Sequence, residues 1–149
     1  MNRRDTLLAL LSLGAGTFAV PFAVFSQQVK KTVVVGVLRS SDQLSSQARI
    51  DAFKQGLQEL GYIEGKNLTL HLRFSDGKAE RLAALAAELV QLKVDIIMAA
   101  DTSATRAAQR ATKVIPIVMG TSTDPVASGL VATLARPGGN TTGLSNMAS

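Results

Sequence analysis

Val33-Val34-Val35-Gly36-Val37-Leu38 is apolar without a break, rich in β-branched side chains and too short for a core helix. Such a run reads as a strand covered on both faces, and strands of that kind belong to parallel sheets with helices on either side. Parallel strands cannot be joined by tight hairpins, so a long crossover must follow each one. The sequence supplies these crossovers. Ser45-Ser46 offers helix caps, Ile50, Phe53, Leu57 and Leu60 recur at helical spacing, and Gly61 stops the helix. Residues 68–74 then alternate strictly, with four apolar side chains on one face and Thr69, His71 and Arg73 on the other; this half-exposed pattern predicts a strand at the sheet edge.

Leu82, Leu85, Leu89 and Val90, with Ala86, form an apolar helix stripe after Asp76-Gly77. Residues 94–100 read as a second buried strand, apolar apart from Asp95 near its start. The alanine-rich segment 102–113 is a helix able to pack close against the sheet. Residues 114–119 are a third buried strand, with Pro116 near its start, where a missing donor is tolerable. Asp124-Pro125 is an N-cap followed by proline at the first helical position, and it predicts a helix running through Leu130 and Leu134. A short strand over 141–145 ends the series. The expected fold is α/β: a doubly wound parallel sheet in three α/β/α layers, strand and helix alternating four times before a last strand.

Residues 1–26 are of another character. MNRRD is a short positive segment, and an uncharged stretch follows to Phe25. Val24 and Ser26 are small enough for positions −3 and −1 of a cleavage site. This is the layout of a secretory signal peptide, with Gln27 as the mature N-terminus. Arg3-Arg4 followed by Leu7-Leu8 also resembles a twin-arginine export signal. An uncleaved membrane anchor is the alternative, although Gly14, Gly16 and Pro21 interrupt the stretch. Either reading puts residues 27–149 outside the cytoplasm, in the periplasm.

Composition narrows the functional classes. The net charge is +5, but the basic residues are scattered and there is one tyrosine and no tryptophan. A nucleic-acid surface would want a basic stripe or a stacking platform, so no nucleic-acid partner is expected. There is no cysteine, which excludes disulfides and thiolate chemistry. The one histidine, His71, lies on the exposed face of the edge strand, away from the loops where a catalytic triad would need it. No cofactor motif and no metal-ligand spacing occurs, and no enzyme activity is expected.

Arg136-Pro137-Gly138-Gly139-Asn140 has the composition of a phosphate cradle but the wrong place. Phosphate loops follow a strand and precede a helix, whereas this one follows a helix and leads into a strand, so it reads as a scaffold turn. In open α/β sheets ligands bind beyond the carboxyl ends of the strands. Three hydroxyl-rich loops emerge there: Arg39-Ser40-Ser41-Asp42, Asp101-Thr102-Ser103, and Gly120-Thr121-Ser122-Thr123-Asp124. Each precedes a helix, so capping explains part of their composition. Three side by side carry more hydroxyls than capping needs, and they define a candidate polar site for a small ligand.

VVVGVLRSSD, FKQGLQELGYIEGKNLTL and IPIVMGTSTDPVASGLVATLARPGGNTTGLS resemble the periplasmic substrate-binding proteins of ABC importers, in the group that includes binders of tryptophan and other aromatic amino acids. The likeness runs from about Thr32 to Ser145. It implies a type I periplasmic-binding fold, in which two doubly wound lobes close on a ligand. Members are roughly twice this long, so residues 27–149 are expected to hold the N-terminal lobe without the second. The resemblance implies a small-molecule ligand, an amino acid among the candidates, and an ABC permease partner in the inner membrane. It places a ligand carboxylate at Thr102 and Ser103, an ammonium group at Thr121, Thr123 and Asp124, and the ligand body at Ser40 and Ser41. A membrane-anchored ligand-sensing domain and an exported α/β enzyme are the alternative functions.

Overall fold

The computed structural model describes residues 31–146; the proposed signal peptide lies outside the described residues. Five parallel strands form one sheet in the order β2-β1-β3-β4-β5, with β1 at Val33–Arg39, β2 at Leu68–Phe74, β3 at Ile96–Ala99, β4 at Ile117–Met119 and β5 at Thr141–Gly143. Helix α1 (Gln43–Glu59) links β1 to β2, α2 (Ala79–Gln91) links β2 to β3, and α3 (Thr102–Ala111) links β3 to β4. The strand over 68–74 is at the edge, as its alternation predicts.

Side-chain alternation along β1 divides the core. Val33, Val35 and Val37 point to one face, where they meet Ile50, Phe53 and Leu57 of α1 and the apolar face of β2. Val34 and Leu38 point to the other, where α2 and α3 lie side by side. Helices therefore cover both faces, which is why β1 had to be apolar throughout. The alanines of α3 let it approach closely: Ala104 and Ala108 are fully buried beside Ile97 and Ile117. Gly36 does the same for α2, because a Cβ there would lie 2.9 Å from Leu89 Cδ2. Leu60 leaves the α1 stripe. It is the C-cap residue and stays 75% exposed.

The fourth crossover is not a helix. Asp124 Oδ1 accepts from Val126 N and Ala127 N, and Ser128 N reaches Asp124 O, so one turn forms as the Asp-Pro signal predicts. It ends at Gly129, whose φ is +67°. The amides of Leu130 and Val131 both turn back to Pro125 O, and these two side chains are drawn onto Met119 instead of continuing a helical stripe. Gln109 of α3 fastens the segment by donating to Leu130 O at 2.6 Å and Thr141 Oγ1 at 2.9 Å. The first helix differs in a smaller way: its N-cap is Asp42, accepting from Ser45 N, and Ser45 and Ser46 lie in the first turn.

The Arg136–Asn140 turn sits at the amino end of the sheet. Gly138 and Gly139 have φ of +73° and +58°, and Asn140 Nδ2 donates to Thr112 O and Ile115 O ahead of β4. Its hydrogen bonds go to scaffold, as its position in the chain order requires.

Asp95 closes the same end between β1 and β3. Its amide donates to Val34 O, and its Oδ2 accepts from Val34 N at 2.9 Å. That backbone bond, followed by Lys31, holds the Asp95 carboxyl below its usual value of 3.8. A depressed folded-state value adds stability above the unfolded value, and the contribution disappears as pH falls through the folded one. Asp95→Asn is therefore expected to be less stable than the parent at pH 7, with the two curves converging below about pH 3.8. Urea unfolding across pH 2.5–7 checks this; a difference that persists undiminished in acid contradicts it.

Candidate functional site

The register of the sheet builds the site. Leu38 pairs with Ala99, and Ala99 with Met119, so the residues that follow each leave the sheet at one level. Between these loops and the start of α1 lies an open cleft of about 740 Å³. Its polar lining comes from Arg39 at the end of β1 with Ser40 and Ser41 after it, from Asp101, Thr102 and Ser103 after β3, from Thr121 after β4, and from Asn146 after β5. Phe53 and Met98 supply apolar surface, and Arg49 of α1 completes one wall. The volume is within the usual range for a small-molecule site. A smaller hollow of about 400 Å³ lies between α2 and α3, and alanines make up half of its lining.

Asp101 joins two of the three loops. Its Oδ1 caps α3 through Ala104 N at 2.9 Å and accepts from Ser40 Oγ at 2.5 Å; its Oδ2 accepts from Ser40 N at 3.0 Å. A second network centres on Ser46, the buried residue in the first turn of α1. Ser46 Oγ donates to Asp42 O at 2.7 Å, so its lone pairs receive Ser41 Oγ at 2.7 Å and Arg39 Nε at 3.1 Å. The third loop is tied in by Thr121 Oγ1 donating to Ala100 O and by Thr102 Oγ1 donating to Ser122 Oγ. The hydroxyl protons of Ser40, Ser41, Thr102 and Thr121 are thus committed within the protein. At the start of α3 the Ala104 and Thr105 amides go to Asp101, while those of Thr102 and Ser103 belong to the helix positions that have no intrahelical partner.

Of the residues singled out from sequence, Ser40, Ser41, Thr102, Ser103 and Thr121 line this cleft together. Thr123 and Asp124 do not; both are exposed, and Asp124 caps its own turn. Asp42 likewise caps α1, and Ser45, through its hydroxyl and its amide, holds the Asp42 carboxyl below its usual value. Two cations were not singled out. Arg39 is half-buried; burial lowers its pKa from the ordinary value, Arg49 pushes the same way, and Asp101 opposes both. Arg39 follows the last buried strand residue and could have been suspected from that position. Arg49 lies seven residues into α1, and nothing local distinguishes it from a solvated helix arginine. Among the described residues, no cluster of His, Asp or Glu is suited to a metal ion.

A parallel α/β sheet with a polar cleft at the carboxyl ends of its strands has the arrangement in which open α/β folds place their ligand sites. The family description that matches residues 33–149 is "ABC transporter substrate binding protein", and the chain belongs to that family. It is 34% identical over 120 residues to a tyrosine-binding protein of Clostridioides difficile, a match covering 80% of this chain and 35% of the relative. Among solved structures it is similar to a conserved domain protein of Vibrio cholerae, with a TM-score of 0.74 and 35% identity, covering 78% of this chain and 40% of that one. It is also similar to an ABC domain from Streptococcus pneumonia in complex with L-Trp, with a TM-score of 0.71 and 30% identity, covering 77% and 39%. The chain thus spans about two fifths or less of the length of these relatives.

Asp101→Ala is expected to lose the α3 cap and both bonds to Ser40, a cost of about 2–4 kcal/mol. Asp101→Asn keeps one acceptor oxygen and caps a helix about as well, so it should cost about 1–2 kcal/mol. Urea unfolding at neutral pH measures both; equal losses for the two variants would mean that the cap accounts for none of the effect.

Proposed function

We infer that this chain is one lobe of an extracytoplasmic solute-binding protein. It holds a small carboxylate-bearing ligand, of which an amino acid is one kind, for delivery to an ABC permease of the inner membrane. The observation that carries the reading is the single cleft into which three strand ends, the first turn of α3 and five hydroxyl side chains converge. Binding alone is the proposed role. The relatives' names, tyrosine-binding protein and a complex with L-Trp, support an aromatic amino acid as the first ligand to try. Export through cleavage near Gln27 and residence in the periplasm complete the proposal. Among the described residues no helix is long and apolar enough to cross a membrane.

In this reading the ligand carboxylate meets the free amides of Thr102 and Ser103 and the Ser103 hydroxyl, with the Thr102 side chain held beside them by Ser122, where the helix end is positive. Ser41 and Thr121 face the ligand body, and Ser40 holds the wall through Asp101. Asp124, exposed and capping its own turn, is left to stability: Asp124→Ala should cost about 0.5–1 kcal/mol, and Asp124→Asn almost nothing.

L-Tryptophan or L-tyrosine at about a hundredfold excess over its Kd should stabilise the chain by about 2.7 kcal/mol, seen as a rise of several degrees in Tm. Thr102→Val combined with Ser103→Ala should weaken binding about tenfold or more through lost hydrogen bonds. The absence of any shift at millimolar ligand, or undiminished affinity in the double variant, would overturn the reading.

A further inference from the structure

β2 is an outer strand of the sheet, and half of its backbone faces away from β1. Val33 N donates to Asn67 O at one end of the β1–β2 ladder, and Ser75 N donates to Arg39 O at the other. With Val33 level with Leu68, these bonds turn the backbone of Thr69, His71 and Arg73 toward β1. The amides and carbonyls of Leu68, Leu70, Leu72 and Phe74 therefore point outward. Such a row is a template for another strand. Two features close it. Before the strand, residues 63–68 fold back on it: Leu68 N donates to Ile63 O and Gly65 N to Leu68 O. Further along, Arg73 Nη1 donates to Leu72 O at 2.9 Å, and its Nε is held by Glu88 Oε2 of α2 at 2.8 Å.

Without that guanidinium the open stretch would be complementary to itself. In an antiparallel pair centred on Leu72, Leu72 exchanges both backbone bonds with Leu72 of a second copy, and Leu70 does so with Phe74. All three side chains lie on the α1 face of the sheet, so the cross-strand neighbours on that face are apolar. A two-fold pair of this kind uses the same surface on both copies. Arg73 stands in its way. Leu72 O, at the centre of the pair, is already taken, and the clamped guanidinium lies along the edge where the second strand would come. The Arg73–Glu88 pair is partly exposed, and pairs of that kind contribute little to stability.

We propose that Arg73, positioned by Glu88, is a guard that keeps the β2 edge from pairing with β2 of a second copy. β2 contributes no residue to the cleft, so the guard works apart from solute binding. Arg73→Thr removes the guanidinium and keeps a side chain that favours strands. In sedimentation equilibrium it should form dimers about tenfold more tightly than the parent or better, the effect of removing a charge-assisted bond that competes with pairing. Amide hydrogen exchange reports where the copies meet. The Leu70 and Leu72 amides should exchange as exposed amides in the parent and become protected in the Arg73→Thr dimer. Glu88→Ala, at an exposed helix position, should shift both readings the same way, and it carries the test if Arg73→Thr does not fold. A folded Arg73→Thr chain that associates no more than the parent overturns the inference. So does a dimer whose Leu70 and Leu72 amides stay unprotected, or a parent that already pairs through this edge.

Discussion

Parallel pairing in register between β1, β3 and β4 decides where everything else can be. Because Leu38, Ala99 and Met119 lie level across the sheet, the chain leaves it at adjacent points. Each exit must turn at once into a crossover, and each crossover that becomes a helix exposes backbone amides at its first turn. Those amides need oxygen acceptors, so Asp42 and Asp101 stand at the starts of α1 and α3. The cleft is therefore polar first for a structural reason. Its hydroxyls and carboxylates gather on one rim because the parallel sheet gathers the helix starts there.

What turns a row of caps into a cleft is that the caps are shared. Asp101 serves α3 and the β1 loop together, and Ser46 joins α1 to Arg39 and Ser41. Each bond is modest in net energy, but a half-buried carboxylate or guanidinium left without partners costs more than the bond contributes. Among the described residues no buried side-chain polar atom lacks a partner. The loops are consequently held by the same groups that would face a ligand, and a pre-ordered wall loses less entropy when a ligand arrives.

The sheet was legible because its strands obey strong local rules. An unbroken β-branched run marks β1, strict alternation marks β2, and the Leu82, Leu85, Leu89 stripe marks α2. The fourth crossover was misread because Asp124-Pro125 is a true start signal with a weak continuation. Gly129 turns the backbone left-handed, and Leu130 and Val131 do better packed on Met119 than on a helix face. No residue before Gly129 carries that information. Within the site, the hydroxyl loops were visible as clusters, since loop composition is local. The double duty of Asp101 and the approach of Arg49 to Arg39 were not, because each depends on which strands are neighbours, and neighbour order in a sheet is set by the whole chain.

The arginine pair makes the empty cleft less stable than it could be. Burial and Arg49 both disfavour the charged form of Arg39, and Asp101 offsets only part of that. The loss lies on the side of the sheet where the loops are, while the amino end is fastened by Asn140 of the Arg136–Asn140 turn and by Asp95 with its own cation Lys31. At the amino end the Asp95 carboxylate meets Lys31 and the Val34 amide and serves stability. At the carboxyl end Arg39 and Arg49 line one cleft, with Asp101 as the acidic residue that offsets part of their repulsion. The rim is thus ordered by shared caps and strained by like charge at the same time.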